Sequence, residues 1–538
     1  MNHRPNRKIL RKMLRKIGQI KMEFSAETNS TVSGLSKQLH SNLQRFKAEL
    51  HFSTDLIIRQ FTMGINQDLK AAIVYIDGLV DKKQIEWSIL KPLMAPAAII
   101  APLSMGDLLA QTAAQLISVG EAKEQDDFVR IVDSVLAGST ALFIDGSAAA
   151  VIINTPGWEK RSIIEPEAEV NIRGSKEGFI ETLRTNTAML RRAIGHPDLT
   201  MIQMTIGEKS KTDICIAYLK GIAPDSLITE IQRRLKRIKT DLIVGSGGIE
   251  QFIQDHPLSL FSTIGHTERP DVAAAKIAEG RAAILIDSTP YVLTMPFLFV
   301  ENFQYPDDYN FHFIYATLIR WVRYAAFLIS FAGPAAYVAL ISYHQELLPT
   351  PLLIAMAAAT EATPFPRVVE VIGMGFIFEI IREGGIRLPR PIGQAISIVG
   401  ALVIGQATVQ AGFVAAPTVI VIATTAVTTF LFPSLVDETA PLRILLVVIT
   451  GFLGAFGLMM GLLVIMIHLT ALRSFGVPYL TPLAPLEPRG LAQDVLIRAP
   501  WWMMWKRPWQ IAADDARERQ QFRLMPRPPK KGQDESSE

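Results

Sequence analysis

The sequence predicts an α/β soluble region of two lobes followed by an all-α, multi-span transmembrane domain. Three observations carry this. Between Trp321 and Leu472 lie several apolar runs long enough to cross a bilayer, whose hydrocarbon core of about 30 Å takes roughly 20 residues of helix. Charged residues crowd the chain on either side of that block and nearly vanish inside it, a contrast hidden by the net charge of +3 over 538 residues. Ahead of the block, short alternating runs interleave with segments of helical period, the signature of α/β layers. The division that follows is 1–50, a basic tail and linker; 51–165, a first α/β lobe; 166–315, a second; 316–475, the transmembrane helices; and 476–538, a polar C-terminal tail.

Met1–Lys21 is basic and has no acidic residue. No apolar core of secretory length follows it, so no cleavable signal is read and the N-terminus is placed in the cytoplasm. Ile9, Leu10, Met13, Leu14, Ile17 and Ile20 share one helical face among basic neighbours. This suits a helix lying on anionic lipid as well as it suits a solvated tail. Aromatic residues that would stack on bases are missing, and no nucleic acid is expected as partner. Glu23–Glu49 is polar enough for a linker.

The first lobe reads as a strand at Ala71–Ile76 entering an Asp77-Gly78 turn, helices at Gln84–Leu93 and Asp107–Val119, and strands Thr140–Ile144 and Ala148–Ile153 around a hairpin signal. The second reads as strand Glu167–Arg173, helix Gly178–Ile194, strands Met201–Ile206 and Asp213–Leu219, helix Asp225–Ile238 with Asp225 as N-cap, helix Asp271–Glu279, and strands Ala282–Ile286 and Tyr291–Met295. Cys215 is the single cysteine; it excludes a disulfide framework and falls where a strand would bury it. Gly245-Ser246-Gly247-Gly248 lacks the spacing and lysine of a phosphate loop and reads as a helix start. Glu268, Arg269 and Pro270 are candidates for an inter-lobe link or hinge, with Pro270 suited to a first helical position.

In the apolar block, spans are read at Trp321–Tyr343, Gly393–Gly412, Phe413–Pro433 and Leu442–Leu472. The last, about 31 residues or roughly 45 Å of helix, implies tilt or protrusion. Arg320 and Arg323 mark the start of the first span, and an even count puts both ends on one face. Pro351–Glu383 is apolar but broken by Pro364 and Pro366, with Glu361, Arg367 and Glu370 beside the break. Proline removes an amide donor and crowds the preceding turn, so two half-helices meet at an irregular centre that lipid alone would not tolerate. Either this is an amphipathic connector on the surface, or it lines a pore. In the second case Thr360, Glu361, Thr363, Pro364, Pro366 and Arg367 are the pore or gate candidates. Gly451, Gly454, Gly457 and Gly461 form a seam of small residues for helix packing. Gln406 with Gln410 and Thr424 with Thr428 are inter-helix links or wetted walls.

No nucleophile elbow, paired-histidine metal signature or P-loop is present, and the nine histidines are scattered; neither an enzyme nor a cofactor or metal is expected. A membrane scaffold that docks a partner through its lobes, without conduction, is the rival reading. A permease is a third, weakened by the lack of internal repeats.

Several stretches in order resemble the A subunit of spore germination receptors of the GerA type: GSTALFIDG (Gly138–Gly146), EPEAEVNIRGSKEGFIETLRTN (Glu165–Asn186), DICIAYLKGIA (Asp213–Ala223), HTERPD (His266–Asp271), YHQELLP (Tyr343–Pro349), TPFP (Thr363–Pro366), REGGIRLP (Arg382–Pro389) and FGVPYLTPLAP (Phe475–Pro485). The resemblance spans about Asp55–Pro485, leaving the N-terminal helix and the last fifty residues outside. GSKEGF lacks the proline usual after its glycine, and DDYN lacks a second aromatic. The resemblance implies a multi-pass protein of the inner spore membrane with its lobes in the cytoplasm. It also implies a transporter-like B subunit and a lipoprotein C subunit as partners, and A subunits assembled with one another into a ligand-gated ion channel.

Overall fold

The computed structural model describes residues 34–63, 69–94, 122–157, 165–166, 169, 171–361, 363–387, 403–508, 510–513 and 518. The basic helix at 1–21, the helix at 107–119 and the first part of the 393–412 span lie outside these. The chain divides into two compact units, 1–163 with 182–203, and 164–181 with 204–538.

The first unit is built on an antiparallel sheet of β1 (Leu56–Met63), β2 (Leu69–Ile76), β3 (Ala122–Gln125), β4 (Ser139–Ile144) and β5 (Ala150–Asn154), in the order β1-β2-β4-β5-β3. Strand side chains alternate between faces, and here both faces are apolar. Ala72, Val74, Ala141 and Phe143 meet α1 (Leu39–Glu49) and α3 (Phe128–Leu136). Ala71, Ile73, Leu142 and Ile144 meet α2 (82–94), which contains a π-turn at Glu86–Leu90. The presence of α1 corrects the linker reading: among polar neighbours, Leu39, Leu43 and Phe46 recur at helical spacing and are buried.

Helix α4 (Leu183–Ala193), assigned from sequence to the second lobe, belongs to the first unit. Its anchor is Arg191, fully buried. The guanidinium donates to both oxygens of Asp55, 3.0 Å each, to the Leu199 carbonyl at 2.8 Å and to Ser53 Oγ at 3.2 Å. Arg191→Met is expected to leave the Asp55 carboxylate buried without its counter-charge, costing about 3–5 kcal/mol. Thermal unfolding of the full chain in detergent checks this: the first transition should fall by several degrees, and an unchanged melt contradicts the anchor.

The second unit carries a sheet in the order β6-β7-β9-β10-β8, with β6 Leu199–Ile206, of which 204–206 fall in this unit, β7 Thr212–Leu219, β8 Gly265–Thr267, β9 Ala282–Ile286 and β10 Val292–Met295. Its helices are α5 (Asp225–Lys236), α6 (Gly245–Ile253) and α7 (Pro270–Ala278). Cys215 is buried in β7. Two local expectations change. The described part of 167–173 is not a strand, and Pro224, not Asp225, caps α5, leaving Asp225 to pair with Lys220 at 2.6 Å.

The helical block follows within this unit: α8 (Phe313–Ser342), α9 (Thr350–Glu361), α10 (Arg367–Arg387), α11 (Ala416–Thr429) and α12 (Val436–Ala471). Among the described residues, two helical runs have the length and apolar composition to cross a membrane, Phe313–Ser342 and Pro433–Ala471. The expected span at Phe413–Pro433 is a helix of 14 residues, below the length a bilayer needs.

The Leu442–Leu472 stretch is not one tilted helix. Gly454 has φ 62° and ψ −145°, a combination open only to glycine, and the chain folds back there. A Cβ on Gly461 would stand 2.6 Å from Leu446 Cδ2, and one on Gly457 2.7 Å from the Ile449 carbonyl. On a straight helix residues 446 and 461 would be roughly 22 Å apart. The result is a helical hairpin whose arms are roughly 26 Å each. Its corner meets Tyr343 at the end of α8, and its returning arm ends with His468 beside Ser259 and Phe261 of the lobe.

The described residues of 473–513 fold onto the rest of the second unit, correcting the reading of a polar tail. Leu480, Val495, Ala499, Met504 and Ile511 are buried, and Ser474 Oγ donates to the Thr263 carbonyl at 2.6 Å. The polar average of this segment concealed its apolar contact positions.

Candidate functional site

The two prolines act as their chemistry requires. Helix α9 ends at Glu361, residues 363–366 are irregular, and α10 starts at Arg367 with the Glu370 amide donating to the Pro366 carbonyl at 3.1 Å. Backbone groups freed at such a break need partners. The Thr360 carbonyl accepts from the Thr363 amide at 3.3 Å and from Thr363 Oγ1 at 2.9 Å, and one charged side chain adds to these. Arg367 donates from Nη2 to the Thr360 carbonyl at 2.9 Å and to Thr363 Oγ1 at 2.6 Å, and from Nη1 to Glu370 Oε1 at 2.6 Å. The guanidinium fork suits this, since it offers several fixed donors from one group.

Glu370 is buried and extends the set inward. Its Oε2 accepts from Thr418 Oγ1 at 3.0 Å and from the Ala415 amide at 3.3 Å, and Thr418 shares a hydrogen bond of 3.0 Å with Tyr337 of α8. The break is thereby linked through Arg367 and Glu370 to both α11 and α8. Of the expected residues, Thr360, Thr363 and Arg367 come together, whereas Glu361, Pro364 and Pro366 are exposed beside them. Lower on α10, Glu379 pairs with Arg382 and with Arg443 of α12, 2.7 Å each. Thr418 and Tyr337 carry no sequence signal, because only the tertiary packing brings an ordinary hydroxyl to the carboxylate.

The glycine seam serves three different contacts. Gly457 and Gly461 let the hairpin arms close, Gly451 accepts Val368 of α10, and Gly454 is the corner. Thr424 and Thr428 donate to carbonyls of their own helix at 2.8 and 2.9 Å; they are neither links between helices nor part of this site. Gln406 and Gln410 are exposed on the helical residues 403–410. Pro270 opens α7, and Arg269, buried, pairs with Asp271 at 2.7 Å and reaches the carbonyls of Glu169 and Ser175, all within the second unit.

A second polar cluster stands where α8 leaves the lobe. Arg320 and Arg323, expected as flanking charges, are buried. Both donate to Asp308 Oδ2, at 2.9 and 2.8 Å, and Arg320 also reaches Asp494 Oδ1 at 3.0 Å. Tyr309 donates to Asp494 Oδ2 at 2.8 Å. Burial pushes the Tyr309 phenol well above its ordinary value, so it remains a donor. The sequence signal for this cluster was available in part: two arginines at i and i+3 share a helix face and need a nearby acid if buried. Among the described residues no group of three or more His, Cys, Asp or Glu side chains gathers to hold a metal ion.

The profile of the family described as Bacillus/Clostridium GerA spore germination protein matches residues 44–510. The match therefore takes in the folded C-terminal segment that the motif resemblance left out. Spore germination protein KA of Bacillus subtilis (strain 168) is 42% identical over 89% of this chain and 88% of its own length. An uncharacterized membrane protein of that organism, YfkQ, is 40% identical over 88% of this chain and 91% of its own. The crystal structure of the N-terminal domain of the A subunit of the Bacillus megaterium spore germinant receptor GerK3 aligns with 36% identity and a TM-score of 0.40, covering 50% of this chain and 98% of that one.

Proposed function

This chain belongs to the GerA family of spore germination proteins, and on that footing we propose that it is a membrane subunit of a nutrient-sensing germination receptor, with the gate of an ion path at the proline break 360–367. In this reading the helical block is a multi-pass domain of the inner spore membrane and the lobes face the cytoplasm. Copies of the chain assemble with one another and with a transporter-like B subunit and a lipoprotein C subunit.

One observation carries the gate: at the irregular backbone of an otherwise apolar block, the charged side chain of Arg367 bonds the Thr360 carbonyl and the Thr363 hydroxyl while pairing with a buried carboxylate. Irregular backbone at membrane depth needs protein or water over it. A contact made by one guanidinium can be withdrawn, opening the Thr360–Thr363 turn and the Glu370 carboxylate to water. A ligand bound to a partner subunit drives that change only through different affinity for the two states.

Glu361, exposed at the end of α9, should influence which ion passes. Glu361→Gln is expected to shift the reversal potential of the reconstituted assembly toward lower cation preference, and an unmoved reversal potential removes Glu361 from the path. Pro364→Ala or Pro366→Ala is expected to change ion leak and the germination response, because the amide restored there lets the two half-helices approach continuity. The rival is a non-conducting scaffold, favoured by the internal satisfaction of the Arg367 and Glu370 groups; liposomes holding the purified protein would then pass no ions under any trigger.

A further inference from the structure

We propose that the C-terminal segment around 489–506 is an interfacial collar that lies in the headgroup layer of the membrane and takes anionic phospholipid. The inference rests on the membrane placement above and is independent of the gate. The segment runs against the first turns of α8: Trp321 Nε1 donates to the Leu496 carbonyl at 2.8 Å, the Arg498 amide to Thr317 Oγ1 at 3.0 Å, and Tyr324 OH to the Val495 carbonyl at 2.9 Å. Roughly 20 residues of helix fill the hydrocarbon core, and counting back from Ser342 reaches Arg323. Trp321 and the segment bonded to it therefore stand at the edge of the apolar layer, on the side of the lobe.

At that level the surface is apolar. Leu318 and Trp321 of α8, and Leu496, Ile497, Trp501 and Met503 of the segment, are all about half exposed. Trp501 is held with its indole N–H on the Tyr309 carbonyl at 3.2 Å. Tryptophans with one bonded edge and one apolar face are the residues that settle at a membrane boundary. The charge beside them is positive: Lys506 and Arg489 are exposed and stand over the Trp505 ring, at 4.5 and 5.8 Å. Basic groups on an aromatic platform at this depth meet lipid phosphates, and a polybasic interface draws anionic headgroups. A lipid surface fits the patch because it is continuous with the exposed apolar face of α8 that the membrane already covers.

The test uses full-length protein carrying Cys215→Ala, spin-labelled at single cysteines and reconstituted in vesicles of phosphatidylcholine with or without phosphatidylglycerol. Ile497→Cys and Met503→Cys are the collar sites, Met459→Cys on the hairpin is the lipid control, and Thr229→Cys on α5 is the aqueous control. Oxygen concentrates in hydrocarbon and a nickel chelate in water, so the oxygen-to-nickel collision ratio at the collar sites is expected about tenfold above Thr229→Cys. It should rise further with phosphatidylglycerol, and Arg489→Gln with Lys506→Gln should abolish that rise. Collar ratios equal to Thr229→Cys while Met459→Cys reads as lipid overturn the collar alone. A Met459→Cys ratio at the aqueous level overturns the membrane placement with it. Labels shielded from both reagents would show a second copy or another protein on this face, and would overturn the lipid assignment.

Discussion

Arg367→Gln is expected to make the reconstituted protein leak ions at rest. The substitution removes the donors to Thr360, Thr363 and Glu370 together, and it leaves Glu370 buried without its counter-charge. Breaking a buried pair from one side costs about 3–5 kcal/mol. The system recovers part of that by admitting water to the carboxylate, which in this account is the open arrangement. Since each 1.4 kcal/mol is a factor of ten, recovering about 2 kcal/mol of it shifts the closed-to-open balance roughly thirtyfold. Adding Glu370→Gln to Arg367→Gln removes the stranded charge and should return much of the seal. Ion efflux from proteoliposomes measures all three proteins. A single mutant as tight as the parent, or a double mutant leakier than the single, contradicts the role of Arg367 in the gate.

The second large effect is expected at Gly454. Its φ of 62° with ψ of −145° is accessible to glycine alone, and a Cβ there would stand 3.0 to 3.1 Å from Tyr343 Cγ and Cβ. Gly454→Ala adds backbone strain of order 1–3 kcal/mol to that contact, and Gly454→Val should prevent the hairpin from closing. Straightening the run would pull Gly457 and Gly461 away from Ile449 and Leu446 and undo the packing of both arms. Gly373→Ala is the control: it lies in α10, nothing stands within 4 Å of its Cβ position, and alanine favours helix. Yield and melting temperature of the detergent-solubilised protein should fall steeply for the Gly454 variants and hold for Gly373→Ala. Normal folding of Gly454→Val contradicts the hairpin.

Elements with a clean burial period were legible from the residues. β2, β4, β7 and β9 alternate or run apolar between turn residues, so their positions follow from which side chains must leave water. Helix α1 was missed because three buried positions in a polar stretch do not alter its average. The corner at Gly454 was missed because a glycine that allows close packing and a glycine that allows a positive φ look the same in sequence. The proline break was legible from Pro364 and Pro366, and Glu361, Arg367 and Glu370 could be placed beside it, but not which of the two acids Arg367 pairs with. What lay beyond reading is the tertiary part: that Thr418 and Tyr337 complete the carboxylate's bonding, that Asp308 and Asp494 neutralise Arg320 and Arg323, and that α4 belongs with the first sheet through Arg191.

The gate is tested most directly by the reactivity of Thr363→Cys, in a Cys215→Ala background, toward a charged thiol reagent that does not cross membranes. In proteoliposomes the rate should be low while Arg367 covers the break and about an order of magnitude higher or more with Arg367→Gln, as water reaches the exposed turn. Equal rates with and without Arg367, at either level, would contradict a gate at this site.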